Sequence, residues 1–470
     1  MPLLRCLTPE QVEAIHQATL RILNETGVVL NHSGAREILA AAGARVHHDR
    51  VLIPPALVEG CLAQCQPTVS VRGRGGALKT LGDGSVYFHN LGGAPEIFDH
   101  ATGQKRLARI QDVCDSTRLL DALESCHTIV PSFTPCDVPG ELMSLAMYRH
   151  ALAHTTKPVH GPIVQDAREV AFAVEMAAVI GRPADVLTLA VSPVSPLAIP
   201  DREVEAIIEV ARAGVAFSPL PSPIAGMTAP LSLAGALAQQ NAEVIAPLVL
   251  AQLVHPGLPT LYCGRLAMME PRTGMSVWGG IELALASAGT IQIGHRYNLP
   301  VNVSGFSTNA HTLDLQCGFE RAINAAVPAL VGADEVAGIG EMAAGLCGSF
   351  AQMVADNEFA SSIQRLRRGF ATDADALAVE VVAAVMNGSR NFLDQPHTLK
   401  YLASGEVFVT RLAERGTFER WDAAGRDNLA ERAQAEAERL LREHQVAPLD
   451  DHQERELDSI MSAAGKHLVK

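Results

Sequence analysis

Between residues 85 and 340 the chain alternates short apolar runs with longer stretches rich in alanine. The short runs are SVYFHN (85–90), HTIVPS (127–132), KPVHGPI (157–163), VLTLAVSP (186–193), VAFSPL (215–220), PTLYCG (259–264), PVNVSG (300–305) and EVAGIG (335–340). Each carries Pro, Gly, Ser or His at or near its end, and their starts recur every ~30–45 residues, the length of one strand plus one returning helix. The intervening segments 227–253, 280–297 and 313–331 carry small residues that allow close helix–sheet packing. Eight such units predict an α/β fold of the (β/α)8 TIM-barrel type, with reactive groups at the carboxyl ends of the strands.

The flanks read differently. A helix is expected over 9–26, capped by Thr8 with Glu10 and Gln11 in its first turn. A second helix is expected near 33–42, short strands near Val46 and Val51, a third helix over 54–63 and strand-like sequence over 69–84. Beyond Gly348 the pattern turns helical, broken at Gly388 and at Gln395–Pro396. The charged stretch 430–445 reads as an exposed amphipathic helix held by charge pairs one turn apart. The expected division is a small N-terminal α+β cap (1–80), a barrel (81–349) and a helical C-terminal extension (350–470).

Composition narrows the function. Forty-eight per cent hydrophobic and 19% charged residues describe a globular chain with ample core. The net charge of −14 argues against a nucleic-acid partner, which needs a basic face. No stretch is apolar for the 18 residues a membrane span requires, and the opening MPLLRCLTPEQ lacks a signal-peptide core. Nine cysteines, an odd number at irregular spacing, predict reduced thiols and a cytoplasmic location. Cys114, Cys126 and Cys136 have no zinc-finger spacing, and no metal ligand is assigned.

The chain lacks an HxH pair after its first strand, a GxSxG elbow, a P-loop and an HExxH helix. Candidate chemistry therefore rests on the strand ends: His89, Phe133, His160, Tyr262, Arg265, Phe306, Asn309 and Glu341. Only 4% of residues are aromatic, so rings near strand ends (these and Trp278) are suggestive. Aromatic faces beside a carboxylate hold quaternary ammonium groups at ~0.5–2 kcal/mol per ring. The competing reading is that the rings plug the barrel top.

Four segments resemble the trimethylamine methyltransferase (MttB-like) family: LTPEQVEAIHQATLRILNETGV (7–28), 226–264, GFSTNAHTLDLQCGFERA (305–322) and 391–421. The resemblance runs along the chain in order and implies a (β/α)8 barrel. It also implies transfer of a methyl group from a methylated amine to the Co(I) centre of a separate corrinoid protein. No cofactor would be tightly bound to this chain, because the partner carries the cobalamin. The founding branch uses pyrrolysine, which the resemblance places near the loop 307–311. All residues here are ordinary ones, and pyrrolysine-free members act on quaternary amines such as glycine betaine. A quaternary nitrogen leaves as a neutral amine, so the protein needs only to desolvate, hold and aim the substrate.

Under that reading Phe133, Tyr262 and Phe306 pack the trimethylammonium and Glu341 supplies negative charge. Arg265, His160 or His89 pairs with a substrate carboxylate, and Asn309 orients the methyl donor. Asn309, Glu341 and His160 are the catalytic candidates. A homo-oligomer is expected by base rate. The alternatives are a non-catalytic betaine-binding barrel and a metal-dependent barrel hydrolase or lyase.

Overall fold

The computed structural model describes residues 3–100 and 102–469. Met1, Pro2, Ala101 and Lys470 lie outside the described residues, so the first two positions of the opening segment carry no structural account. The fold is α/β. Strand eight (Glu335–Ile339) pairs in parallel with strand seven (Val301–Ser304) and with strand one (Tyr87–Asn90). Strand seven pairs in parallel with strand six (Tyr262–Gly264), and strand four (Thr188–Val191) with strand five (Ala216–Pro219).

The remaining neighbours meet through single parallel bridges, His89–Thr128, Ile129–Val159, Ile163–Ala190 and Phe217–Thr260. The expected second and third strands are thus extended segments without a regular ladder. Proline explains this: Pro131, Pro158 and Pro162 remove backbone donors from both. The Asn90 side chain substitutes, its Oδ1 accepting from the Val130 amide at 3.0 Å and its Nδ2 donating to the Val130 carbonyl at 2.6 Å.

The helix Leu233–Val254 has no polar stripe and is buried almost end to end. The helix Pro9–Arg21 packs on one side of it and the helix Asp201–Ala213 on another, which removes the need for a solvent face. Thr8 and Gln11 form the reciprocal cap of the first helix. The N-terminal segment also holds a three-stranded antiparallel sheet (Val28–Val29, Arg45–His47, Arg50–Leu52) and the hairpin Val69–Arg72/Leu78–Leu81.

Two features depart from expectation. A hairpin, Glu96–Asp99 with Gln104–Leu107, lies between strand one and its helix Ile110–Ala122, and Cys347–Gly348 pairs with it. Its second strand is wholly exposed, so it shows no apolar alternation to detect. The helix Leu429–Glu443 is not merely solvated, because Ala430, Ala433 and Ala437 are buried where it packs on the helix Phe350–Arg368.

Candidate active site

Strands one, three, four, seven and eight send polar side chains inward at one level. Fully buried strand positions ordinarily carry apolar side chains, so a polar layer is a departure that calls for a reason. Its centre is Glu335, fully buried at the start of strand eight. Glu335 Oε1 accepts from His160 Nε2 at 2.9 Å and from Thr128 Oγ1 at 2.5 Å. Glu335 Oε2 accepts from Asn302 Nδ2 at 2.5 Å. Burial alone would raise this carboxyl, but the imidazoles of His160 and His89 and these hydrogen bonds outweigh it, holding the group well below the usual carboxylate range.

His89 Nδ1 donates to the Asn90 carbonyl at 2.7 Å, and its Nε2 accepts from Asn302 Nδ2 at 2.9 Å. Both contacts suit a neutral ring, and burial pulls His89 down to about 4. The second nitrogen of His160 meets Thr188 Oγ1 at 2.7 Å. Arg265 Nη1 donates to the carbonyls of Gly264 and Asn302 at 3.1 and 3.0 Å, and its Nη2 donates to Asn302 Oδ1. One connected network therefore runs Arg265–Asn302–Glu335–His160, with His89 attached through Asn302.

This layer floors a cavity of about 270 Å³. His89, His160, Thr188, Asn302 and Arg265 line its lower part; Ser218, Ser222, Ser304 and Glu341 line it further along the strand ends. Ile163, Trp278, Ala344 and Gly345 border it where the chain is partly exposed. Glu341 is brought there by a bulge in strand eight at Gly338, whose φ is +119° and where a Cβ would lie 2.0 Å from the Gly305 carbonyl oxygen. Glu341 Oε2 accepts from Ser307 Oγ at 3.0 Å. Burial pushes its carboxyl up to about 8, against the pull of Arg321, which favours the protonated form at neutral pH.

Four of the sequence candidates, His89, His160, Arg265 and Glu341, thus meet in one cavity. The other four do not line it. Phe133 is buried against Phe350, with Gly348 beneath its ring. Phe306 packs edge-on to Phe88 at 5.6 Å. Tyr262 points outward from its strand, its hydroxyl donating to Asn241 Oδ1 at 2.8 Å on the buried helix. These three rings are core residues outside the cavity, neither caging a ligand there nor plugging its mouth. A strand residue one position off points to the opposite face, so proximity to a strand end does not decide the side.

Asn309 acts as a clip. Its Oδ1 accepts from the amides of Trp278 and Gly279 at 2.8 and 2.7 Å, and its Nδ2 donates to the Ser276 carbonyl at 3.1 Å. It fixes the one Trp that borders the cavity. Behind it, fully buried Arg321 pairs with Asp356 at 2.8 Å and donates to the Phe306 carbonyl, bracing the turn where Phe306 has φ +49°.

Sequence reading singled out neither Glu335 nor Asn302. The signal is present in PVNVSG and EVAGIG: a polar or charged residue inside a run otherwise fit for a buried strand. Away from the cavity, where no metal ligand was assigned, Cys114, His150 and His154 come together on neighbouring helices.

Comparison with known proteins adds the lineage. A family profile described as trimethylamine methyltransferase (MTTB) matches residues 1–465. The trimethylamine methyltransferase MttB of Desulfitobacterium hafniense (strain DSM 10664 / DCB-2) is 31% identical over 461 residues, covering 96% of this chain and 92% of that protein. The glycine betaine methyltransferase of Desulfitobacterium hafniense (strain Y51) is 28% identical over 480 residues, covering 100% and 98%. The crystal structure of the Methanosarcina barkeri monomethylamine methyltransferase (MtmB) superposes with a TM-score of 0.51 at 14% identity, covering 93% of each chain, a likeness of fold. With a profile matched along nearly its whole length, the chain belongs to the trimethylamine methyltransferase family.

Proposed function

We propose that this chain is a methyltransferase that takes a methyl group from a quaternary amine, a betaine, for delivery to the Co(I) of a separate corrinoid protein. The carrying observation is the cavity itself: one guanidinium, Arg265, and one protonatable carboxyl, Glu341, line the same 270 Å³ space. That volume suits an amine of a few heavy atoms and is too small for a corrin ring. The corrinoid is thus a second substrate brought by a partner, and it supplies the electron pair that accepts the methyl group. We read the parallel strands and their bridges, in which strand eight neighbours strand one, as a (β/α)8 barrel with an N-terminal cap and a helical extension.

The residues of this chain bind and orient. Arg265 pairs with the substrate carboxylate, a charge-assisted contact that fixes one end of the ligand. The trimethylammonium lies toward Glu341 and the face of Trp278, which takes the place of the three-ring cage expected from sequence. A cation beside Glu341 favours its ionised form, so binding expels the proton from that carboxyl to solvent. The C–N bond electrons stay on nitrogen as the methyl group departs, and the product is a neutral tertiary amine. No proton donor is required, which agrees with a cavity whose imidazoles are committed to holding Glu335, Asn302 and Thr188. Asn309 and Glu335 are positioning residues in this scheme.

The homo-oligomer expected by base rate has an apolar band in its favour. Phe370, Val379, Leu393, Leu399, Val409 and Phe418 are all more than 60% exposed. The short helices Ala374–Leu377, Pro396–Ala403 and Phe418–Ala423 bury no residue of their own. Helices this short are unstable without a packed face, so a permanent partner, a second copy of the chain, covers them.

The test is a thermal-shift panel of trimethylamine, choline, glycine betaine, proline betaine and carnitine, followed by assay of the demethylated amine with reduced corrinoid. Stabilisation by a carboxylated quaternary amine is expected, about 2.7 kcal/mol at 100 times Kd. Stabilisation by trimethylamine alone overturns the substrate assignment.

A further inference from the structure

The helix Ile110–Ala122 follows strand one, and the helix Met143–His154 lies beside it. Cys114 on the first faces His150 and His154 on the second, the two histidines one turn apart on one face. Cys114 Sγ lies 3.5 Å from His150 Nδ1. One ligand atom from each of the three residues falls within 4.8 Å of the others.

A second observation concerns the tautomer. His154 Nδ1 donates to the His150 carbonyl at 2.8 Å. A ring that donates from Nδ1 carries its lone pair on Nε2, the nitrogen that would bind an ion. Metal-binding histidines are held in this way, with the non-ligating nitrogen donating to a carbonyl or carboxylate. The neighbouring cations are each paired with carboxylates, Arg149 with Asp458 at 2.8 Å and with Glu454, and Arg118 with Asp115 at 2.9 Å. Cys114 is 7% exposed and the two histidines are half-buried, so the cluster is shielded yet reachable from solvent.

We propose that Cys114, His150 and His154 form a zinc site that staples the first two outer helices. One thiolate and two imidazoles are a borderline-soft donor set suited to Zn2+, and a water completes the fourth position. On binding, the Cys114 thiol proton is released to solvent and the sulfur electron pair goes to the metal; the two imidazoles bind as neutral ligands. The site lies outside the cavity lining and does not depend on the methyl-transfer reading.

The experiment uses the untagged full chain, stripped of metal and titrated with Co2+ as a spectroscopic stand-in. One cobalt per chain with a thiolate-to-cobalt absorption band is expected, abolished by added Zn2+ and absent in Cys114→Ser. His154→Gln, at a half-exposed position, should weaken cobalt binding at least ~10-fold while leaving the thermal melt cooperative. If Cys114→Ser fails to fold, His154→Gln carries the test. Absence of the band in the unaltered chain overturns the site, as does a band that survives in both variants.

Discussion

His160 Nε2 and Glu335 Oε1 meet at 2.9 Å, joining the third and eighth strand segments through the middle of the fold. The carboxylate is fully buried and ionised, so it can only accept, and His160 is the donor. Four hydroxyl, amide and imidazole groups from other strands depend on this one carboxylate directly or through Asn302.

Removing the carboxylate should therefore destabilise more than it disturbs any single contact. Glu335→Ala leaves His160, Thr128 and Asn302 buried without their acceptor and should cost ~3–5 kcal/mol. Urea denaturation midpoints read this directly. A loss under ~1 kcal/mol would mean that water replaces the acceptor at little cost.

Ligand affinity should rise with pH. Glu341 has its carboxyl pushed up to about 8, and a bound cation favours its ionised form. Below that value binding must first displace a proton; above it the carboxylate is already charged. Quaternary-amine affinity should improve roughly tenfold per unit at most as pH climbs toward about 8, then level off. Glu341→Gln should flatten the profile, and calorimetry in two buffers of different ionisation enthalpy should show proton release. A flat profile in the unaltered protein removes Glu341 from the cation site.

Arg265 should discriminate by the far end of the ligand. Arg265→Ala should weaken carboxylated quaternary amines by at least ~10-fold and leave choline binding nearly unchanged, because charge-assisted hydrogen bonds contribute ~1.5–3 kcal/mol. Equal losses for both ligands would place the carboxylate elsewhere.

His89, buried, and His127, partly buried, should make the fold sensitive to acid. Burial pulls both His89 and His127 down to about 4, whereas unfolded histidines titrate near ~6.5. At these two positions the unfolded chain binds more protons between those values, so the stability they contribute should be lost as pH drops from about 6.5 to 4, while Glu341, raised by burial, acts in the opposite direction. His89→Asn should reduce the slope of stability against pH in that window. A slope unchanged by the substitution would sink the assignment.

The chain should elute as an assembly. Light scattering should give a mass that is a multiple of 49.8 kDa, and Leu393→Asp with Val409→Asp should dissociate it. A monomer at micromolar concentration overturns the second-copy reading.

The expected strands of the α/β fold are legible because each is a short apolar run bounded by turn-forming residues at regular spacing, and their returning helices show as alanine-rich stretches between them. Strand-end logic also brings His89, His160, Arg265 and Glu341 to one cavity. It fails for Phe133, Tyr262 and Phe306, since a shift of one residue turns a side chain from the interior to the helices outside. Glu335 and Asn302 escape notice because a buried polar residue in an apolar strand looks like an exception until its partners are known.

By itself the sequence determined the order of strands and helices, the helix caps such as Thr8–Gln11, and the family, all of which depend on residues near one another in the chain. Tertiary structure alone decided that Glu335 would meet His160 across 175 positions, that Arg265 would reach Asn302, and that Cys114 would face His150. Those contacts depend on which strands and helices become neighbours, and chain closure over such separations leaves no local periodicity to read.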